Sequence, residues 1–202
     1  EPTFISIPST DNDQPIHNCD NLEFDYESQT GCDGKVYSNP ENSPYIIPLK
    51  KGTEFTTGLT NCSSSYHSSG QPDQYAFDFD LPERTEFRAA RGGIVYSVEE
   101  SQSSFGGGAG NSVIINHGNG TFGVYLHSPQ DGILVEQGDS VNQHQVLGLI
   151  GRSGLAGYSH LHFIVVEGSP TYPYKGIPIT FNNASPTDVV LESYKFYKAC
   201  GG

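Results

Sequence analysis

The chain has 202 residues, with 24 Gly, 13 Pro, 12 Tyr and 11 Phe, and a formal net charge of -13 at pH 7. That length fits one domain, with or without extensions, and can bury a full core. The negative balance repels phosphates and so argues against nucleic acid and anionic lipid surfaces as partners. No apolar run approaches the roughly 18 residues that a membrane span needs.

No long window places Ala, Leu, Glu and Lys at helical spacing, whereas Gly, Pro, Tyr, Phe, Val and Ile are frequent. The expected fold is mostly β, with many turns. The chain starts at Glu1-Pro2 and contains no Met, which reads as the mature product of a secreted, extracellular protein, expected to be a monomer. Four cysteines, Cys19, Cys32, Cys62 and Cys200, match no zinc-finger spacing and suit disulfides. Three pairings are possible. Cys19–Cys32 with Cys62–Cys200 is favoured, the first closing a short loop and the second tying the C-terminus to the body.

Residues 1–45 read as an irregular extension, turn-rich at 11–15 and 38–44. Their acidic residues lack EF-hand spacing and read as a solvated loop rather than a calcium site. The main domain is expected over 46–168. Short strands are expected at 45–48 and 53–57, then a polar loop over 63–74 carrying His67. Residues 75–81 alternate, with Tyr75, Phe77, Phe79 and Leu81 facing one way and Ala76, Asp78 and Asp80 the other. Carboxylates on the inner side of an aromatic strand need a partner.

Residues 87–99 read as a strand pair broken near Gly92-Gly93. The glycine-rich loop at 101–110 lacks a following Lys-Ser/Thr and opens no helix, so it is no phosphate cradle. Residues 113–117 and 121–126 make a hairpin around an Asn-Gly turn, with His127 at the far end of its second strand. Residues 133–135 and 146–150 read as two apolar strands. After the loop at 152–157 comes Tyr158-Ser159-His160-Leu161-His162-Phe163-Ile164-Val165-Val166. As a strand this stretch projects His160 and His162 from one face and Leu161 and Phe163 from the other. Residues 169–202 read as an irregular C-terminal extension packed on the domain.

His67, Asp78, His127, His160 and His162 thus stand at strand ends or in loops beside them. A catalytic zinc takes three ligands of the His, Asp and Glu type and leaves a fourth position to water, whose pKa falls to about 7. A further His can serve as general base or stabilise an oxyanion.

In this order the residues resemble the lysostaphin-type (LytM/LasA) zinc metalloendopeptidases. The family outline is a His upstream of an Asp, a later Tyr-x-His and a closing His-Leu-His-Phe. Here these are His67 and Asp78, Tyr125-Leu126-His127, and His160-Leu161-His162-Phe163, and the resemblance covers about residues 60–168. It implies a two-layer antiparallel β fold and one zinc ion held by His67, Asp78 and His162. It further implies that His160 is the general base and that His127 orients water or stabilises the tetrahedral intermediate. The implied substrates are glycine-containing peptide bonds of peptidoglycan cross-bridges or of Gly-rich proteins such as elastin.

The sequence departs from the family outline at several points. The usual first ligand lies four residues before the Asp, where this chain has Gln74. His67 is used instead, with His17 as the fallback. Asp80 rivals Asp78, which is chosen because Pro82 follows it by four residues. Arg84 and His144 occupy turn positions where the family often has Gly, and Ser159 replaces a common Pro.

Plainer readings compete with these. His117 and His144 read as exposed turn residues, and Asp78 could pair with Arg88 or Arg91 in place of a metal. The alternative function is a catalytically silent wall-binding or regulatory module on the same fold. A glycoside hydrolase using Asp78 and Asp80 is disfavoured, because two carboxylates on one strand cannot flank a bond.

Overall fold

The computed structural model describes residues 19–20 and 22–201. The turn expected at 11–15 and the fallback ligand His17 lie outside the described residues. In chain order the strands are β1 (Glu54–Thr57), β2 (Phe77–Asp80), β3 (Glu86–Arg88), β4 (Gly93–Glu99), β5 (Asn111–Asn116) and β6 (Thr121–Ser128). They continue with β7 (Ser140–Val141), β8 (Val146–Leu149), β9 (His160–Glu167), β10 (Lys175–Gly176), β11 (Ala184–Ser185) and β12 (Phe196–Ala199). Two short 3-10 turns, Pro40–Asn42 and Ser65–His67, sit in loops.

Ten strands form one antiparallel sheet in the order β11-β12-β1-β2-β9-β6-β5-β4-β7, with β10 on β9; β3 and β8 form a separate pair. The core lies between the large sheet and this pair. Phe77, Phe79, Leu161, Phe163 and Tyr125 point inward from the large sheet and are buried together with Phe87 of β3 and Leu147 of β8. Phe87 stacks on Tyr125 at 5.7 Å between centroids. Each such fully buried apolar side chain contributes about 1.5–3 kcal/mol.

That burial sets the face of β9. The strand is hydrogen-bonded to β2 on one side and β6 on the other. A slip of one residue would drive two imidazoles into the core and expose Leu161 and Phe163, so the register is held from both faces.

The chain departs from its sequence-level expectations at several places. The disulfides are Cys19–Cys200 and Cys32–Cys62, not Cys19–Cys32 with Cys62–Cys200. Short-loop closure is outweighed by topology. Cys200 follows β12, whose partners are β1 and β11, while Cys62 belongs to the loop before β2, where its N–H donates to the Gln74 carbonyl.

Residues 87–99 hold two strands that do not pair with each other: β3 joins β8, and β4 lies between β5 and β7. Residues 45–48 form no strand, since Ile46 and Ile47 donate to Ala90 O and Asn183 Oδ1 in loops. Ile133 makes a single bridge to Gly148. The region after residue 168 supplies β10, β11 and β12 to the main sheet, and Phe181 packs against Phe77 at 5.0 Å.

Candidate metal centre

The centre forms where β2, β9 and β6 lie side by side. Asp78 is directly opposite His162, and Asp80 directly opposite His160, in the β2–β9 register. Side chains so placed stand about 4.5–5.5 Å apart at Cβ on one face. Asp78 is buried, and its Oδ1 lies 2.9 Å from His162 Nδ1, 3.4 Å from His67 Nε2 and 3.6 Å from His160 Nε2. The alternative pairing of Asp78 with Arg88 or Arg91 does not form: Arg88 pairs with Glu86, and Arg91 lies over the Tyr45 ring.

His127 reaches the site by a different device. Regular alternation along β6 would put it on the core face with Tyr125. The β5–β6 register instead passes from Ser112↔Leu126 to Asn111↔Ser128, leaving His127 as an extra residue, with φ 78°. A bulge of this kind re-aims one side chain. It brings the His127 ring to 4.8 Å from His160 and 5.8 Å from His162.

His67 ends the 3-10 turn Ser65–His67. Its ring meets His162 edge-on at 5.2 Å. The structure therefore brings together all five residues expected from the sequence. Two overlapping triads, His67-Asp78-His162 and His127-His160-His162, each have potential ligand atoms within 4.8 Å of one another.

Hydrogen bonding sets the ring tautomers. His127 Nδ1 lies 2.9 Å from Ser153 O, and His160 Nδ1 lies 3.0 Å from Tyr158 O. A carbonyl only accepts, so both rings carry the proton on Nδ1 and keep a lone pair on Nε2. Burial pushes His127 down to about 3, helped by the neighbouring His162 and His160. Burial also lowers His160, against the pull of Asp78. For Asp78, burial pushes upward, yet hydrogen bonds from His162 and His67 leave the carboxyl well below the carboxylate range.

A divalent ion fits this set. One buried carboxylate is ringed by imidazoles, and His162 Nδ1 and His67 Nε2 both face its Oδ1, at 2.9 and 3.4 Å. Nitrogen and oxygen donors in a group of three suit zinc.

Comparison with known proteins adds a family to this geometry. The pattern of peptidase family M23 matches residues 73–173. The chain belongs to peptidase family M23. Peptidoglycan DD-endopeptidase ShyA of Vibrio cholerae is 34% identical over 99 residues, which is 48% of this chain and 21% of that protein. The chain thus spans about a fifth of that relative's length. The catalytic domain of the prophage-encoded M23 protein EnpA from Enterococcus faecalis superposes with a TM-score of 0.52 at 21% identity, over 65% of this chain and 94% of that one. That likeness is one of fold. The antimicrobial peptidase lysostaphin from Staphylococcus simulans aligns with a TM-score of 0.47 at 21% identity, over 60% and 47% of the two chains.

The M23 match begins at residue 73, after His67, so the place of His67 in the centre rests on this structure's own geometry. Gln74 turns away from the site, its Oε1 accepting from Gly70 N. Arg84 and His144 hold φ of 66° and 69°, the left-handed backbone that explains why glycine suits those turns. His117 and His144 are half-buried rather than exposed.

Asp80 stands one pleat from Asp78, half-buried beside Tyr158. Burial first, then the charge of Asp78, raises its carboxyl to about 6. It belongs to neither triad. Gly58 makes room there, since a Cβ would collide with the Tyr158 hydroxyl and Asp80 Oδ1.

The centre opens into a groove of about 900 Å³ with Ile114, Val124 and Leu126 on one side and tyrosines at 66, 158, 172 and 194 among its walls. Sequence reasoning missed Asp73, which lines this groove and contacts His162. The only sequence-level signal was a carboxylate in the His67 loop.

Proposed function

We propose that this M23 chain is a secreted zinc-dependent endopeptidase that hydrolyses glycine-containing peptide bonds, in peptidoglycan cross-bridges or in Gly-rich proteins such as elastin. The observation that carries this reading is the convergence of His67, Asp78 and His162 with His127 and His160 on the groove floor. The similarity to a protein named as a peptidoglycan endopeptidase supports the wall peptide as substrate. Tyrosines at the groove rim favour a backbone without side chains, because a missing side chain is selected by leaving no room for one.

His67, Asp78 and His162 would hold the zinc, which when bound polarises the scissile carbonyl and lowers the pKa of water to about 7. His160 is neutral, with its Nε2 lone pair free, so it takes the proton of the attacking water at Nε2 and returns it to the leaving amine. His127 Nε2 accepts a hydrogen bond from that water and fixes its direction. Ile114, Val124 and Leu126 keep one side of the groove apolar and limit competing solvent. A silent module would be expected to lack at least one of these five residues, and this chain carries all five.

The test is zinc content measured in parallel with cleavage of a glycine-rich peptide panel, before and after a chelator. Zinc at one ion per chain and chelator-sensitive cuts at glycine support the reading. Full activity in metal-free protein overturns it, as does a zinc-loaded protein that binds wall polymer and cuts no peptide.

A further inference from the structure

The imidazole of His162 sits between two carboxylates. Nδ1 lies 2.9 Å from Asp78 Oδ1, and Nε2 lies 3.3 Å from Asp73 Oδ1. The second contact is an ion contact rather than a formed hydrogen bond, and Nε2 has no other partner among the described residues. Asp73 is itself held. The Tyr174 hydroxyl donates to the same Oδ1 at 2.5 Å, and Ala76 N donates to the Asp73 carbonyl at 2.8 Å.

Tyr174 is anchored to the same strand as His162. It immediately precedes β10, which pairs Lys175 with Glu167 and Gly176 with Val166 of β9. A Cβ on Gly176 would lie 2.9 Å from Ile164 Cδ1 and 3.3 Å from the Pro72 carbonyl. The absent side chain lets this strand close onto the loop that carries Asp73.

The ring can donate to both carboxylates only when it carries a proton on each nitrogen, and an ion bound at Nδ1 takes the place of one of them. Asp78 accepts from Nδ1 and so favours a proton there, which removes the lone pair an ion would need. A carboxylate at Nε2 favours the other tautomer and restores that lone pair. We propose that Asp73, braced by Tyr174, is a positioning residue that keeps the proton of His162 on Nε2 and its Nδ1 free to face the ion beside Asp78. This inference rests on the metal-centre reading above. Burial and the neighbouring Asp73 push the Tyr174 hydroxyl above its ordinary value, so it remains a donor throughout the working range.

The test uses the full chain, with zinc affinity measured by competition against a chelating dye and the metal-free melting temperature measured alongside. Asp73→Asn should weaken zinc binding about 10–100-fold, and Asp73→Glu should recover part of that loss. Tyr174→Phe should weaken it less, and the metal-free melt of each variant separates weaker zinc binding from a folding defect. Cobalt(II)-loaded Asp73→Asn should show a shifted visible spectrum. Wild-type affinity in both Asp73→Asn and Tyr174→Phe overturns the inference alone. A wild-type chain that binds no zinc overturns the metal-centre reading itself.

Discussion

The two halves of the metal centre are built by different physics. Asp78, His160 and His162 stand on β2 and β9, paired across neighbouring strands, with Phe77, Phe79, Leu161 and Phe163 on the reverse face in the core. His67 comes from a single 3-10 turn in a loop, and His127 from a bulge with left-handed backbone. In the strand half, one apolar–polar alternation fixes fold and site together. In the other half, tertiary ties alone decide where the rings go. The strand half should therefore tolerate loss of loop contacts, while the loop half should not.

The largest effect comes from splitting the strand half itself. His162→Ala removes a residue common to both triads and should abolish stoichiometric zinc, with loss of essentially all turnover. His160→Ala should keep zinc and lower kcat by about 10²–10⁴-fold, because the residue lost is the proton acceptor. Zinc content and kcat measured on both variants check the split. Normal cleavage by His160→Ala would show that His127, the bulge residue, carries the proton.

The next test acts on the loop half. Cys32–Cys62 spans 30 positions and ties the N-terminal segment to the loop that delivers His67 and Asp73. Cys62 N also donates to Gln74 O at 2.7 Å. Replacing both cysteines by Ser should cost about 2–4 kcal/mol of stability. It should also weaken zinc binding about tenfold, equivalent to about 1.4 kcal/mol, while far-UV circular dichroism of the sheet stays the same. A variant that melts earlier yet binds zinc as tightly as the wild type would mean that the loop is held by β2 and β9 alone.

The same division governs what could be read from the chain. The alternation in residues 75–81 and 160–166 was legible because period two maps onto a strand with one face in the core. It placed His160 with His162 on one face of their strand and Asp78 on the polar face of its own; the register that sets the two side by side comes from the fold. His127 was found through its spacing from Tyr125, yet alternation assigns it to the wrong face, since a bulge leaves no mark in polarity. Asp73 was missed because its role depends on β10 bringing Tyr174 alongside, a contact 101 positions away in sequence. The disulfides were mispaired for the same reason: Cys200 is placed by β12 joining β1, which no local pattern announces.

The smallest expected effect lies away from both halves and tests the same rule on a histidine with no ion to bind. His117 Nδ1 faces Thr121 Oγ1 at 3.0 Å, and that hydroxyl donates to Asn119 Oδ1 at 2.7 Å. The hydroxyl oxygen is thus left to accept from Nδ1–H. The ring's Nε2 is buried without a partner among the described residues. A proton there would find no acceptor, so burial, and then the charge of Arg91, lowers His117 to about 4. The unfolded ring titrates near 6.5. The neutral ring's contribution is therefore intact above that value and is lost as pH falls through the window toward 4, because the unfolded state takes up the proton first. Between pH 7 and pH 5 the loss should be on the order of 1–2 kcal/mol. His117→Gln cannot titrate and should lose less stability over the same interval, with peptide cleavage unchanged. Urea unfolding of both proteins with chelator present isolates the difference, since all other titrating groups are shared. Parallel curves would mean that Nε2 finds a partner once protonated. Burial alone would then not keep an imidazole neutral in this fold, and the neutrality assigned to His127 and His160 on the same ground would need revision as well.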